Sequence, residues 1–368
     1  MQNFIPLASP DIQEKDIDAV SAVLRTGNLV QGEQVEQLEN NLAKYLGVAH
    51  CVAVTNGTAT LHLALVALGI GPGDEVIVPA LSYIATANVV ELVGARPVFV
   101  DITLDSFNIN ADLIEAKITP RTKAIIIVHE FGLAADMHRV KAICDAYQLW
   151  LVEDAACALG AKDQDSLAGT VGIAGSFSFH PRKAITSGEG GAIITSDAEL
   201  ALHLRTLRNH GMNAAHKSKM DFILAGYNCR MTNFQAALLD SQLQRLDAIL
   251  GQKQHIADRY LNEIKNPHIK LPVIAAGKLH SWQTFHVLLQ GPLKQAETIA
   301  KLRDAGIGTN YGAQCMPAQT YFLEKYKHNA PHEFPQAWAA YQAGLAIPLY
   351  EKLNGEQVSY IIQTLNSI

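Results

Sequence analysis

The sequence lacks the features that mark several classes of protein. It contains only 5 cysteines in 368 residues, with no Cys-x-x-Cys pair, so we expect no disulfide framework and no metal site, and a reducing cytoplasm as its location. No apolar run approaches the roughly 20 residues that span a bilayer, and the first residues lack the basic and apolar regions of a signal peptide. The net charge of −6 provides no basic surface for nucleic acid or for an anionic membrane.

The remaining composition is that of an ordinary globular enzyme. Hydrophobic residues make up 49% of the chain and charged residues 17%, which indicates neither disorder nor low complexity. A chain of this length is expected to bury a large core and to form two domains.

Between about residues 50 and 200, short apolar runs alternate with stretches that resemble helices. Nearly apolar strands that alternate with helices predict a mainly parallel sheet covered on both faces, and therefore a three-layer α/β/α domain. The predicted strands are VIVPA (76–80), PVFVD (97–101), AIIIVHE (124–130), LWLVED (149–154), GSFSF (175–179) and GAIITS (191–196). The predicted helices between them are 58–70, 85–94 and 136–147.

The pattern changes after about residue 246. A strand over 281–291 and helices over 292–306 and 354–367 predict a smaller α+β domain. One long amphipathic helix over 230–250 is expected to link the two parts. We therefore predict a large domain over 1–245 and a small domain over 246–368.

Polar residues follow several of the predicted strands. In a parallel sheet, ligands bind beyond the carboxyl ends of the strands, and Asp101, His129, Asp154 and His180 each end or follow an apolar run. They predict one site assembled from several strand ends. For His129, a core histidine bonded to the backbone is an equally good interpretation.

Two segments suggest an anion and a heterocycle as ligands. In VTNGTATLHLAL (54–65) a strand stops and a helix begins at once. Gly57 would allow close approach to the backbone N–H groups of the helix and Thr58 would add a hydroxyl, which together favour an anion site; an ordinary helix cap by Asn56 or Thr58 is the alternative. Asp154 would pair with a protonated ring nitrogen or, alternatively, cap a helix.

The strongest signal lies in GSFSFHPRKAITSGEGGAIITSD (175–197). Lys183 stands between a strand and a Gly-rich segment, outside any amphipathic helix pattern, as expected of a lysine that forms a Schiff base. Ser178 precedes it by five residues and is expected to reach a phosphate. Gly188, Gly190 and Gly191 allow the chain to turn back into the next strand.

The segment FSFHPRK followed by TSGEGG resembles the core motif of fold type I enzymes dependent on pyridoxal 5′-phosphate (PLP). Among these, the chain is similar to the nucleotide-sugar aminotransferases of bacterial surface-polysaccharide and antibiotic pathways. The resemblance extends from SAVLRTGNLVQGEQVEQLE (21–39) to LAIPLY (345–350). It implies the fold type I architecture, a three-layer large domain with a smaller C-terminal α+β domain.

The resemblance also implies roles for individual residues. Lys183 would hold PLP covalently and shuttle a proton, and Asp154 would pair with the pyridine nitrogen. Tyr83 would stack on the cofactor ring. Gly57, Thr58 and Ser178 match the phosphate-binding positions.

Two further positions match family residues that face the substrates or a second subunit. Asn228 matches an asparagine that reaches the cofactor phosphate of the neighbouring subunit in a homodimer, and Arg230 matches an arginine near the substrate side. His129, His210 and Tyr311 are further candidates for substrate binding; for His210, support of the loop 211–225 is the alternative.

The chain departs from the family pattern at two places. Cys157 occupies the position where the family has Gln or His bonded to the cofactor's 3-hydroxyl, and a thiol is only a weak hydrogen-bonding group. The segment 308–319 also lacks the histidine that many members carry there.

The predicted function is transfer of an amino group from L-glutamate to a keto-sugar, a nucleotide-linked keto-deoxy hexose, for surface-polysaccharide or antibiotic sugar synthesis. The alternatives are another PLP reaction, such as sugar dehydration or amino-acid lyase chemistry, and a non-catalytic regulator on the same fold. Lys183 disfavours the dehydratase branch, where a histidine replaces it. A nicotinamide-dependent dehydrogenase is disfavoured because no G-x-G-x-x-G follows an early strand.

Overall fold

The computed structural model describes residues 4–215 and 220–368. Its strands, in chain order, are β1 (His50–Val54), β2 (Glu75–Pro79), β3 (Leu81–Ser82), β4 (Arg96–Val100), β5 (Thr122–Val128), β6 (Trp150–Asp154), β7 (Lys162–Asp163), β8 (Ser166–Leu167), β9 (Ala174–Ser178), β10 (Gly191–Thr195), β11 (Ile269–Lys270), β12 (Lys278–Leu279), β13 (Phe285–Leu289), β14 (Gln314–Cys315) and β15 (Gly344–Ile347).

The helices are interspersed with these strands. In chain order they are α1 (Glu14–Thr26), α2 (Glu33–Leu46), α3 (Gly57–Ala67), α4 (Ala85–Leu92), α5 (Met137–Tyr147), α6 (Ala198–Arg208), α7 (Asn233–Leu243), α8 (Leu246–Glu263), α9 (Gln295–Asp304), α10 (Thr320–Tyr326), α11 (Ala330–Glu333), α12 (Pro335–Ala343) and α13 (Gly355–Ser367). No helix within the described ranges is both long and apolar enough to cross a bilayer.

A seven-stranded sheet forms the centre of the molecule, in the order β1-β10-β9-β6-β5-β2-β4. The four pairings from β9 to β4 are parallel, whereas β10 runs antiparallel to both β9 and β1. The prediction of a mainly parallel sheet is therefore confirmed. The strands β2 and β10 are buried along their whole length, as their nearly continuous apolar sequences predict.

Helices cover both faces of this sheet, because successive side chains of each strand point to opposite sides. Ile126 packs in one hydrophobic cluster with α3, α4 and α6. Its neighbours Ile125 and Ile127 pack in another cluster with α5, and α2 and α7 cover the strands at the β1 end. This is the three-layer arrangement expected from the sequence.

A second, three-stranded sheet has the order β11-β13-β15. Its cluster includes Tyr260 of α8, Trp282 and residues of α13. Ile5, from the other end of the chain, joins the same cluster, and its backbone N–H donates to the Gly306 carbonyl over 2.8 Å. The segment 313–340 instead packs with the large sheet, because β14 pairs with β3 and Phe322 and Phe334 lie in the cluster of α3 and α4. The division at residue 245 remains a prediction.

The single helix predicted over 230–250 is wrong. The chain forms α7 and α8 with a break at Gln244–Arg245. The guanidinium of Arg245 lies 2.7 Å from the Asp16 carboxylate of α1 and 3.6 Å from that of Asp11. These contacts come from a segment more than 200 residues away in the sequence, so the apolar periodicity of 230–250 does not contain the signal for the break.

Candidate active site

Three strand ends meet at one edge of the central sheet. Asp154 ends β6 and pairs with Ser176 of the adjacent strand β9, which ends two residues later at Ser178. Beyond β10, β1 runs in the same direction as β9, since both are antiparallel to β10. The carboxyl ends of β1, β9 and β6 therefore lie at the same edge of the sheet, and this edge brings Gly57, Ser178 and Asp154 together.

At the β1 end, Gly57 and Ser178 form a narrow cradle beside the N-terminus of α3. A Cβ atom added to Gly57 would lie only 2.8 Å from the Ser178 Cβ, so only glycine fits there without movement. The Asn56 side chain caps α3, because its oxygen accepts from the Ala59 N–H over 2.8 Å. This is the ordinary helix cap that the sequence offered as the alternative to an anion site. The exposed Thr58 and the positive end of the helix dipole remain available to an anion.

In the middle of the edge, Asp154 presents a buried carboxylate. Its Oδ2 accepts from the Thr86 hydroxyl over 2.8 Å and its Oδ1 from the Ala156 N–H over 3.2 Å. Burial raises the pKa of Asp154, and these hydrogen bonds together with the Lys183 charge oppose that rise. A buried carboxylate beside a cation is a suitable partner for a protonated ring nitrogen.

Lys183 approaches the same carboxylate from the loop after β9. Its backbone N–H donates to the His180 carbonyl over 2.8 Å, which forms a tight turn after Pro181. Its Nζ donates to the Cys157 sulfur over 3.1 Å. Burial raises the pKa of the Cys157 thiol, although the Lys183 charge lowers it. The side chains of Lys183, Cys157 and Asp154 thus form one cluster.

Three residues that the sequence analysis passed over complete the cluster. Thr86 supports Asp154, Ser82 lies 3.3 Å from Thr86 (Oγ to Oγ1), and Glu130 is buried with 5% exposure. The signal for Glu130 was present, because a carboxylate directly after the apolar run AIIIVH is unusual in a buried segment. Ser82 and Thr86 have no such signal, since hydroxyls near a helix start are common.

His129 lies next to this cluster but points away from it. Its Nε2 lies 2.8 Å from Glu153 Oε2, and its Nδ1 accepts from the Ala135 N–H over 3.0 Å. The ring is fully buried and both its nitrogens are occupied by the protein. This is the core histidine of the alternative interpretation, so we do not retain His129 as a substrate-binding residue.

The other strand-end residues also do not converge. Asp101 accepts from the Gln336 and Ala337 N–H groups over 3.0 and 2.8 Å, and so caps α12. The His180 side chain is exposed. The expectation that all four strand-end residues share one site therefore holds only for Asp154.

The remaining predicted residues are exposed or partly exposed. Arg230 bridges to Val54 at the end of β1, and its Nη1 donates to the Asn209 side chain over 2.6 Å. Asn228 and His210 are exposed, and residues 216–219 of the polar segment 210–221, which precedes Asn228, lie outside the described part. Exposed aromatic rings stand at Tyr83 and Tyr311, with exposures of 67% and 39%.

The residues at this edge fit pyridoxal phosphate. At the Gly57–Ser178 cradle the absence of a Cβ on Gly57, the hydroxyls of Ser178 and Thr58 and the N-terminus of α3 suit a phosphate, and the buried Asp154 carboxylate suits a pyridinium. The Lys183 amine lies in the same cluster as Asp154 and Cys157.

Comparison with known proteins gives long matches. The chain matches the family described as the DegT/DnrJ/EryC1/StrS aminotransferase family over residues 10–366. It is 35% identical over 381 residues to the spore coat polysaccharide biosynthesis protein SpsC of Bacillus subtilis, which covers 100% of this chain and 97% of SpsC.

Solved structures agree with this match. Spr1654 of Streptococcus pneumoniae in its PLP-form superposes with a TM-score of 0.93 at 30% identity, over 99% of this chain and 98% of that one, and it is also known in a PMP-form. PseC of Helicobacter pylori, an aminotransferase involved in the biosynthesis of pseudoaminic acid, gives a TM-score of 0.94 at 27% identity, with 99% of each chain covered.

Proposed function

Since this chain belongs to the DegT/DnrJ/EryC1/StrS aminotransferase family, we propose that it transfers an amino group from L-glutamate to the keto group of a nucleotide-linked sugar. The predictions of the family, of the fold type I architecture and of PLP as cofactor are confirmed. The enzyme is a PLP-dependent sugar aminotransferase. The donor, the nucleotide and the roles of single residues are the parts we propose.

The observation that carries the proposal is the cluster of Lys183, Asp154 and Cys157 beside the Gly57–Ser178 cradle. When bound, PLP supplies an electron sink for the charge that develops on the substrate carbon. Asp154 holds a proton on the ring nitrogen, because a buried carboxylate is stabilised by a cationic partner. Thr86 and the Ala156 N–H fix the direction of that carboxylate.

Lys183 is the proton carrier. As a free amine, Lys183 accepts a proton from the substrate carbon of the amino donor. It gives a proton back when the amino group reaches the sugar. The turn at His180 fixes its backbone, while the long side chain leaves Nζ free to move between the two positions. Its contact with the Cys157 sulfur is a weak hydrogen bond, so the amine stays near the site and is still able to move.

The phosphate is held by the cradle. Ser178 and Thr58 offer hydroxyls, and Gly57 allows the N-terminus of α3 to approach closely. Tyr83 is exposed and follows Ser82, which contacts Thr86; in our proposal its ring stacks on the cofactor. Such fixed contacts orient the reacting groups before chemistry begins.

We further propose that the active unit is a homodimer. Asn228 and Arg230 are close in sequence, and Arg230 lies beside the end of β1. The exposure of Asn228 supports its proposed role of reaching the phosphate of the partner subunit, and a two-fold axis would make this contribution reciprocal. Arg230 would bind the carboxylate of the donor. The free cysteines among the described residues are consistent with a cytoplasmic location, which we also propose.

The test is the first half of the reaction, because it needs no knowledge of the sugar. Purified protein loaded with PLP is mixed with L-glutamate, and the absorbance of the cofactor is followed until it reaches the spectrum of pyridoxamine phosphate. Lys183→Ala should abolish this conversion, and borohydride should attach the cofactor to Lys183 in the parent protein. Attachment to another lysine, or no conversion by any amino donor, would contradict the proposal.

A further inference from the structure

Glu130 is a buried carboxyl group with an unsatisfied oxygen. The side chain has 5% exposure, and its Oε2 has no hydrogen-bond partner among the described residues. Ser82 is a hydrogen-bond partner of the carboxyl, and Ser82 in turn lies 3.3 Å from Thr86, which donates to Asp154. A buried oxygen without a partner is costly, so this one indicates a group that the bound cofactor or substrate supplies.

The neighbours of Glu130 favour its neutral form. Burial and then the nearby Asp154 carboxylate raise the pKa of Glu130 to about 8, although Lys183 opposes the rise. Two buried carboxyl groups in one cluster do not readily ionise together, and Asp154 is the one with the stronger set of donors. At neutral pH Glu130 therefore carries a proton and can act as a hydrogen-bond donor.

The order of the sheet decides which edge of the cofactor Glu130 faces. In PLP the phosphate arm lies on one side of the axis from the ring nitrogen to the reactive carbon, and the 3-hydroxyl lies on the other side. The cradle of Gly57 and Ser178 stands at the ends of β1 and β9, whereas Glu130 follows β5, on the opposite side of β6. With the ring nitrogen at Asp154 and the phosphate in the cradle, the 3-hydroxyl would face the side of β6 on which Glu130 lies.

Cys157 is a poor hydrogen-bond partner for the 3-hydroxyl of the cofactor. The sequence analysis assigned Cys157 to the 3-hydroxyl, but its sulfur accepts from Lys183 Nζ over 3.1 Å. A thiol is also a much weaker donor than a carboxylic acid. The position next to the ring hydroxyl therefore has a weak group from the loop after β6 and a strong one from the end of β5.

We propose that Glu130, as a protonated carboxyl, donates a hydrogen bond to the 3-hydroxyl oxygen of the cofactor and so fixes the orientation of its ring. The inference rests on the proposed function, since it assumes that PLP occupies the site in the orientation given by Asp154 and the cradle. Glu130 is then a cofactor-binding residue of this chain, and Cys157 mainly a contact of Lys183.

A dependence on pH follows from this assignment. The ionisable groups around Glu130 are Asp154, Cys157 and Lys183, and Asp105, His280 and His286 line a small cavity that it shares. Burial lowers the pKa of both His280 and His286 to about 3, so these rings stay neutral. Ionisation of Glu130 removes the donor proton, so PLP affinity should fall as the pH rises through about 8 or above.

The experiment measures cofactor binding and not turnover. Apoenzyme is titrated with PLP and with an analogue in which hydrogen replaces the 3-hydroxyl, for the parent chain, Glu130→Leu and Glu130→Gln. The exposed Glu189, changed to Gln, is the matched control. We expect Glu130→Leu to bind PLP roughly tenfold more weakly, the size of one hydrogen bond to a polarised oxygen, and to bind the analogue as the parent does. We expect Glu130→Gln to keep its affinity and to lose the extra pH dependence.

The outcomes distinguish a failure of the Glu130 assignment from a failure of the proposed function. An equal loss for PLP and for the analogue in Glu130→Leu would mean that Glu130 only supports the fold, and would overturn the inference. If Glu130→Leu does not fold, Glu130→Gln still decides, because an unchanged pH dependence of PLP binding in that variant also overturns it. Failure of the parent chain to bind PLP or to react with L-glutamate would instead refute the proposed function.

Discussion

Replacement of Asp154 by Asn removes a charge from the site while it keeps the shape of the side chain. Asp154 has 6% exposure and accepts two hydrogen bonds, from the Thr86 hydroxyl and from the Ala156 N–H. The Asn side chain has one oxygen for these two donors. It also has no negative charge to hold a proton on the ring nitrogen of the cofactor.

The expected loss of rate follows from the burial of the ion pair proposed between the Asp154 carboxylate and the ring nitrogen of the cofactor. Removal of one partner from a buried charge pair costs about 3–5 kcal/mol, and about 1.4 kcal/mol corresponds to tenfold in rate. We therefore expect Asp154→Asn to lower kcat/KM for L-glutamate on the order of 10³-fold. Thr86→Val keeps the carboxylate and removes one hydrogen bond, so it should cost only about tenfold.

The thermal stability of the apoenzyme, unlike the rate, should not fall when Asp154 is replaced by Asn. Burial raises the pKa of Asp154 above its ordinary value, so ionisation in the apoenzyme destabilises the fold, and this cost grows as the pH rises from the unfolded pKa through the folded one. Asp154→Asn removes the ionisation, and the Tm of the apoenzyme at pH 8 should stay equal or rise. Single-turnover kinetics with L-glutamate and thermal unfolding of the apoenzyme check the two effects. Near-normal rates, or a Tm that collapses together with the rate, would refute the reasoning.

Three further changes test other parts of the site. Gly57→Ala places a methyl group 2.8 Å from the Ser178 Cβ and should weaken PLP binding at least tenfold in an equilibrium titration, whereas Gly251→Ala, in open space on α8, should have no effect. Cys157→Gln should fold and bind PLP as well as the parent or better; a variant that does not fold would show that the position belongs to the packed core. Mixed Lys183→Ala and Asn228→Ala chains should regain activity on subunit exchange, because one of the two shared sites is then intact, and confirmed exchange without activity would exclude shared sites.

The sequence predicted the central sheet well because its strands are buried on both faces. The apolar runs around Ile126 and Val152 need no information from elsewhere in the chain, and each predicted strand of the sheet lies within two residues of its observed position. The Lys183 segment was equally clear, because glycines and a turn proline surround it. Features of this kind can be predicted from the neighbouring residues alone.

Other features depend on contacts that no local pattern contains. The break between α7 and α8 follows the ion pairs of Arg245 with α1, and the burial of His129 follows its pairing with Glu153. His129 and Glu130 are adjacent in the chain, and only the directions of their side chains, which the sequence does not give, distinguish their contacts.

Glu153 and Asp154 also stand side by side in the chain and face opposite sides of the sheet. Glu153 is fully buried and accepts from the N–H groups of Gly169, Val171 and Gly172 over 2.6–2.8 Å, so it holds the loop before β9 in place. In a survey of all single substitutions, both positions would therefore reject nearly every change, for unrelated reasons. Variants at 153 would be lost from the cell as unfolded protein, whereas variants at 154 would accumulate normally and be inactive. Intolerance to substitution alone would not distinguish a residue required for folding from one required for the reaction. A parallel measurement of protein abundance would distinguish them.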